Sequence, residues 1–358
     1  MKNVKIKQFR DHRGLSQEQL GTHVRVTRQT IASWENGDTT PDLGQLLKVA
    51  EVLQVPVSLL LGEGAKHQEP AGLLFRADDP TKLTVALREL LSKRAADYTS
   101  LEHLLGETPA LPESRPMDLY DEYTVYETAA TVRDWLGVGN TAPLRDLFTL
   151  LENRGLKVIL HELPTELSGF SGYTEEAGGV IVVNSSHPIE RQYLTAVHEL
   201  AHLIFHRKEY ASAQAVKAKR GDPREKAANR LAGAVMLPDA VVRAELHAYK
   251  DRWIPEPLLV DIKQRYWVSM QMILLRAGQC GILTEKQAGT QFGALKKKYP
   301  GDEPGQLPLA PSRLGRLERL TYRALMDEEI TTSRGAEILG IPLAEVREQL
   351  RWWMERES

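Results

Sequence analysis

Between residues 5 and 61, apolar positions recur at helical spacing in short bursts broken by polar turns, a pattern that predicts five short helices. Ser16 is an N-cap type residue ahead of Gln17, and Leu20 and Val24 follow one turn apart. After a tight turn, Thr27 can cap RQTIASWENG, in which Ile31 and Trp34 point one way while Arg28, Gln29, Thr30 and Ser33 stay polar. Gly37 closes that helix and Pro41 opens the next, DLGQLLKVAEVLQV. Stretches 62–72, 106–118 and 300–312 are rich in Gly, Pro and polar residues and are expected to be linkers. Between the first two, Leu83, Leu87, Leu90 and Leu91 form one stripe of a helix expected to act as a spacer or dimer element.

Farther on, YETAATVRDWLG and PLRDLFTLLENRG show helical spacing, and the apolar runs 157–163 and 178–184 are too short for helices and fit strands. ERQYLTAVHELAHLIFHRKEY is an amphipathic helix. PREKAANRLAGAVMLPD is a second, opened by Pro223 and stopped by Pro238. Residues 257–286 suggest small helices, and 313–356 again show helix, turn, helix, with Gly340-Ile341-Pro342 at the turn and no evident repeat of the N-terminal sequence.

Composition removes several function classes. With 42% hydrophobic and 26% charged residues the chain is an ordinary globular one, and its 358 residues suggest two or three domains. The N-terminal segment has no apolar core of a signal peptide and no stretch suits a bilayer, so the expected location is the cytoplasm, away from membranes. Cys280, the single cysteine, can form neither an internal disulfide nor a thiolate metal site and is expected to be a small buried residue. A metal would therefore have to be held by His and carboxylate. Net charge is only -2, so any nucleic-acid contact must be local. Residues 1–61 hold four Lys and four Arg against three Asp and three Glu, a weak basic excess.

The string His198-Glu199-Leu200-Ala201-His202 carries the chemistry. Two His at i and i+4 share a helical face about 6 Å apart, which lets both imidazoles converge on one zinc, with Glu199 beside them to reach a water molecule. His206 lies about 12 Å along the helix axis from His198, too far to share that metal, and is expected to be partly exposed or to back up a ligand. The longer spacing that recruits a third His is absent, since Phe205 and Lys208 occupy the positions it needs. Glu225 is the better third ligand: it opens the following helix, with Asn229 one turn later on its face to brace a ligand or bond a substrate backbone. The plainer alternative makes Glu225 a solvated carboxylate favoured by the helix dipole. Tyr193, Tyr210 and His206 are candidates to stabilise a transition state, and each has an equally plain structural reading.

Two resemblances sharpen this picture. The pattern around Leu15-Ser16-Gln17-Glu18-Gln19-Leu20 and Thr27 to Glu35 resembles the XRE (Cro/CI-like) helix-turn-helix family. That resemblance implies that Gln17, Thr27, Arg28, Gln29, Thr30 and Ser33 face a double-stranded DNA operator, with Asn36 near a phosphate, and Gln and Arg suit bidentate contacts to adenine and guanine. The pairing of HELAH with EKAANRLAGAVMLP resembles the ImmA/IrrE metallopeptidase family, with Leu231 where that family carries Phe. It implies that His198, His202 and Glu225 bind Zn2+ and that Glu199 is the general base. It also matches 178–184 to a strand ahead of the active-site helix, which we read as an edge on which an extended substrate can pair.

The expected fold is thus mainly α with a small β-sheet (α+β). An all-α five-helix helix-turn-helix domain spans 1–61, a helical spacer with linkers 62–118, a zincin-like metallopeptidase domain 119–300, and a linker with a helical, HTH-like domain 301–358. The ImmA/IrrE resemblance implies limited proteolysis of one or few regulatory proteins, such as a helix-turn-helix repressor, by a transcription-linked regulator expected to be a homodimer. The rival is a non-catalytic DNA-binding antitoxin or repressor that uses the peptidase fold as a partner-binding scaffold, against which the intact Glu199 argues.

Overall fold

The computed structural model describes residues 5–53, 55–61, 74–76, 84–108, 111–117, 119–211, 221–308 and 315–357. The expected linker 62–72 and Leu83 lie outside them. The architecture is α+β, mostly helical with one small mixed sheet.

The N-terminal unit is five helices: α1 (Ile6–His12), α2 (Gln17–Val24), α3 (Arg28–Asn36), α4 (Leu43–Leu53) and α5 (Val57–Leu60). Local chemistry sets α2 and α3. Ser16 and Gln19 form a reciprocal capping box, Arg25 adopts a left-handed φ of 61° to end α2, and the Thr27 hydroxyl accepts from Thr30 N to start α3. Leu20, Val24, Ile31 and Trp34 close a core with Ile6, Phe9, Val49 and Leu53. Buried Arg10 ties that core together, pairing with Glu35 at 2.6 Å and donating to Leu15 O at 2.7 Å.

After β1 (Leu74–Arg76) comes α6 (Val85–Leu104), whose role differs from a free spacer. Its leucines do not share one stripe. Leu90 and Ala86 pack into the N-terminal core, Leu87, Leu91 and Ala95 pack on the sheet, and Tyr98 and Leu101 meet the C-terminal helices. A helix covered on several sides has no need of an amphipathic pattern, which is why periodicity alone misassigned it.

Helices α7 (Glu122–Leu136) and α8 (Leu147–Asn153) lead into the sheet of β2 (Lys157–His161), β3 (Gly169–Thr174) and β4 (Gly178–Asn184), in the order β1-β3-β4-β2. Only β2 and β4 run parallel. The expected edge at 178–184 is corrected: β4 is interior, hydrogen-bonded to β3 on one side and β2 on the other. Its near-continuous apolar run is that of a strand buried on both faces, with Ile181 and Val183 on one core and Val180 and Val182 on α6. Periodicity missed β3, whose GFSGYT is glycine-rich for a steric reason. A Cβ on Gly169 would stand 2.5 Å from Val182 O and 2.6 Å from Thr195 Cγ2.

Two long helices follow, α9 (Ile189–Phe205) and α10 (Pro223–Met236), then α11 (Asp239–Leu246), α12 (Glu256–Tyr266), α13 (Met270–Gln279) and α14 (Glu285–Lys298), which share the largest core. Two of the stretches expected to be linkers are fastened within their described residues. Arg115 N donates to Ile204 O and Met117 N to Phe205 O, so 111–117 covers carbonyls that the end of α9 leaves unpaired. Glu303 accepts from Met270 N at 2.7 Å and pairs with buried Lys263 at 3.3 Å.

The C-terminal helices are α15 (Arg316–Met326), α16 (Thr332–Leu339) and α17 (Leu343–Glu357). Backbone geometry repeats where sequence does not. Both α2 and α16 have eight residues, both end in a left-handed residue (Arg25, Gly340), and both are followed by a helix three residues after that one begins its turn. At the positions matching Arg28, Gln29, Thr30 and Ser33, α17 carries Leu343, Ala344, Glu345 and Glu348, which are unsuited to phosphate. The unit is clamped on α6 through Arg316–Glu102 and through Arg334–Asp97 at 2.6 Å. Among the described residues no helix is long and apolar enough to cross a membrane.

Candidate metal centre

Helix α9 crosses the middle of the largest core, and its buried face includes Glu199 and His202 as well as Leu200, Leu203 and Phe205. Polar groups in such a place must find partners. Helix α10 supplies one. Its start is fixed by the Asp222 carboxylate, which accepts from Arg224 N, and by Pro223 at the first turn. This delivers Glu225 to the two imidazoles. His198 Nε2 and His202 Nε2 lie 3.1 Å apart, with the Glu225 carboxylate oxygens at 3.3 Å and 3.5 Å from them. Three donors each about 2.0 Å from one ion at tetrahedral angles stand roughly 3.3 Å from one another. The separations fit a zinc-sized ion, and among the described residues these three form the one group of this kind.

The far nitrogens are held as well. His198 Nδ1 is 3.1 Å from Asn229 Oδ1, and His202 Nδ1 is 3.0 Å from His206 Nδ1. An imidazole offering Nε2 to a metal keeps its proton on Nδ1, so Asn229 and His206 are the acceptors that fix ring and tautomer. His206 is therefore buried, at 4% exposure, and the expectation of a partly exposed side chain is corrected. Burial pushes the Glu225 carboxyl up, but hydrogen bonds and charge from His198 and His202 outweigh it and hold it well below the ordinary carboxylate range.

Glu199 is tied to the sheet. Its Oε2 accepts from Ser171 Oγ at 2.5 Å, and Ser171 Oγ lies 2.7 Å from Tyr210 Oη. The motif spacing gives no hint of Ser171, which comes from the unpredicted β3. Tyr193 is structural: its hydroxyl donates to Arg145 O at 2.9 Å and its ring stacks on Trp267. Cys280 is buried as expected, its thiol pushed up to about 11 by burial.

In the N-terminal unit Arg28, Gln29 and Asn36 are exposed. Gln17 donates to Glu35 at 2.9 Å, the Thr27 and Thr30 hydroxyls meet at 2.8 Å, and Ser33 meets Thr39 at 2.8 Å. These bonds make α3 a rigid platform from which Arg28 and Gln29 project.

Comparison with known proteins agrees with both halves. Residues 6–60 match the helix-turn-helix family and residues 151–277 the IrrE N-terminal-like domain, Peptidase_M78. The uncharacterized HTH-type transcriptional regulator YgzD of Bacillus subtilis (strain 168) is 47% identical over 55 residues, which are 15% of this chain and 82% of that protein. A solved Mycobacterium tuberculosis transcriptional regulator is similar at 18% identity and a TM-score of 0.33, over 51% of either chain, so this chain spans about half its length. The fold and sequence together define a DNA-binding transcription regulator with a metallopeptidase-family domain. The chain belongs to the XRE-type helix-turn-helix regulators and carries an ImmA/IrrE-like peptidase domain behind that unit.

Proposed function

We propose that the chain is a zinc-dependent peptidase that cleaves one or few regulatory proteins, such as a helix-turn-helix repressor, and is brought to its operator as a homodimer in the cytoplasm. The observation that carries this reading is the convergence of His198, His202 and Glu225 donor atoms next to a buried carboxylate that is not one of them. A scaffold protein gains nothing from burying Glu199. In this reading His198, His202 and Glu225 would hold a Zn2+, which when bound would supply the Lewis acidity that polarises a scissile carbonyl and makes a water acidic enough to lose its proton near neutral pH. Glu199 takes that proton and passes it to the leaving amine. Asn229 and His206 keep the two imidazoles oriented throughout. Residues 119–300 form the peptidase domain and 1–61 the DNA-binding domain.

The test is metal analysis of the purified chain, together with mass spectrometry of cellular proteins exposed to the wild type or to Glu199→Gln. One zinc per chain in both, with cleavage only by the wild type, is the expected result. A chain that holds no zinc and cleaves nothing is the non-catalytic scaffold instead.

A further inference from the structure

Strand β3 follows α9 past the zinc motif, and its outer edge is already taken. A Cβ on Gly169 would stand 2.6 Å from Thr195 Cγ2, Ser171 Oγ lies 2.5 Å from Glu199 Oε2, and the Arg207 guanidinium sits 5.1 Å from the centre of the Tyr173 ring. Strand and helix therefore run side by side in the same direction. One side of β3 pairs with β4 and the other, antiparallel, with β1. In that register Leu74, Phe75 and Arg76 stand opposite Tyr173, Gly172 and Ser171, so the Arg76 backbone lies across from the strand residue that meets Glu199. β1 also lies against the 3-10 turn Arg207–Ala211 that follows the motif helix.

We infer that the outer edge of β3 is the docking surface for an extended peptide, and that β1 is its built-in occupant, which a protein substrate displaces before cleavage; this rests on the peptidase reading above. Strand β4 is paired on both sides and takes no further strand, whereas pairing on β3 carries a peptide backbone past the motif carboxylate. An extended segment added there uses the same β3 backbone groups that β1 uses. The occupant is short: β1 pairs with three of the six residues of β3. A substrate strand that runs the length of β3 gains more backbone bonds than it displaces, so it can win the edge. Tethered to α6, which begins at Val85 and packs on the sheet, β1 competes as an intramolecular ligand, and even a short ladder holds at high effective concentration. A bare edge would offer its N–H and C=O groups to any passing strand. β1 thus screens the edge, and the partner it yields to is an extended or unfolded protein segment.

The experiment uses the full chain loaded with zinc and a quenched-fluorophore peptide spanning the bond that the wild type cleaves. Successive strand residues turn their N–H groups to opposite sides, so Leu74→Pro/Phe75→Pro removes a donor that faces β3 and unseats β1. This variant is expected to lower KM by about 5- to 10-fold, the weight of one or two net hydrogen bonds. Its kcat is expected to stay unchanged, because an internal occupant reduces only the fraction of chains open to substrate. Leu74→Ile/Phe75→Tyr keeps both N–H groups and is expected to match the wild type. A synthetic peptide of residues 71–78 is expected to inhibit the proline variant competitively and the wild type far less. Amide hydrogen exchange reads the edge without cleavage: 171–173 should exchange faster in the proline variant and regain protection with the 71–78 peptide, while β4 and α9 stay protected. A wild-type KM in the proline variant overturns the inference, and so does a loss of β4 protection, which would make β1 a structural strand of the sheet. Either result leaves the peptidase reading intact. A wild type that cleaves no protein overturns the reading and the inference together.

Discussion

His206 Nδ1 lies 3.0 Å from His202 Nδ1, so the histidine that caps α9 touches the second histidine of the motif and is not one of the three grouped donors. Distance along the helix axis excludes it as a ligand and, taken alone, predicts that its removal changes little. Burial changes that expectation. His206→Ala should weaken zinc binding by about 10- to 100-fold, as loss of a partner behind a ligand does, and Asn229→Ala should act similarly through His198. Glu225→Ala should be worse than either. Titration against a competing chelator measures all three, and an unchanged affinity in His206→Ala would show that the contact is idle.

Arg28 and Gln29 project from α3 while Ile31 and Trp34 lock it to the core. With so few cations on the unit, useful affinity needs two half-sites about one helical turn apart and hence two copies. Gln29→Ala should cost roughly 1–3 kcal/mol on a specific operator if it reads a base bidentately, and little on random DNA. Equal weakening on both would make it a positioning contact only.

Glu152 is buried under the start of α15, where its Oε2 accepts from Arg316 N at 2.9 Å. Burial raises its carboxyl to about 7, opposed by the Arg316 hydrogen bond and by the charges of Arg319 and Arg316. The folded pKa exceeds the ordinary 4.5, so the folded chain binds the extra proton between those values. Stability is then fully present below pH 4.5 and declines as pH rises to about 7, by at most about 3 kcal/mol. Glu152→Gln keeps an acceptor for Arg316 N and removes the slope. Denaturant melts at pH 5 and pH 8 should show the variant gaining on the wild type only at the higher pH; a parallel pH response in both would refute the assignment.

How much of this was legible in the sequence depends on how local each signal is. The capping residues Ser16 and Thr27, and the i, i+4 pair His198 and His202, act within one helix, so their spacing alone located the elements and the motif. Glu225 needed the family resemblance, because nothing local distinguishes it from any carboxylate in a first helical turn. Ser171 was out of reach: β3 owes its glycine at 169 to contacts with Val182 and Thr195, which are distant in sequence. The same holds for 111–117 and 300–308, whose loop-like composition hides backbone and carboxylate bonds to remote helices. The C-terminal helices share the backbone spacing of α2 and α3 without their residues at the matching positions, so spacing and not sequence carries that likeness.

The largest consequence concerns α6. Seven buried side chains tie one 20-residue helix, about 30 Å long, to three different cores. Lys5 pairs with Glu89 at 2.8 Å and His12 meets Thr84 at 3.1 Å on the N-terminal side, while Leu87, Leu91 and Ala95 cover Ile159, Phe170, Val180 and Val182 of the sheet. A fragment begun at residue 119 would expose that apolar sheet face, and it should aggregate or melt far below the full chain. Residues 84–358 keep α6 and should stay folded. Leu91→Ala in the full chain should cost about 2–5 kcal/mol, since the cavity lies against a packed sheet. DNA binding would reach the peptidase-like domain through α6, the described helix that packs on both the N-terminal core and the sheet. A ligand moves such an equilibrium only by favouring one arrangement, so cleavage by the full chain should respond to operator DNA while cleavage by 84–358 should not. Thermal melts of the two truncations decide the structural part; a cooperative, soluble 119–358 fragment with the Tm of the full chain would mean that α6 is dispensable and the coupling must run elsewhere.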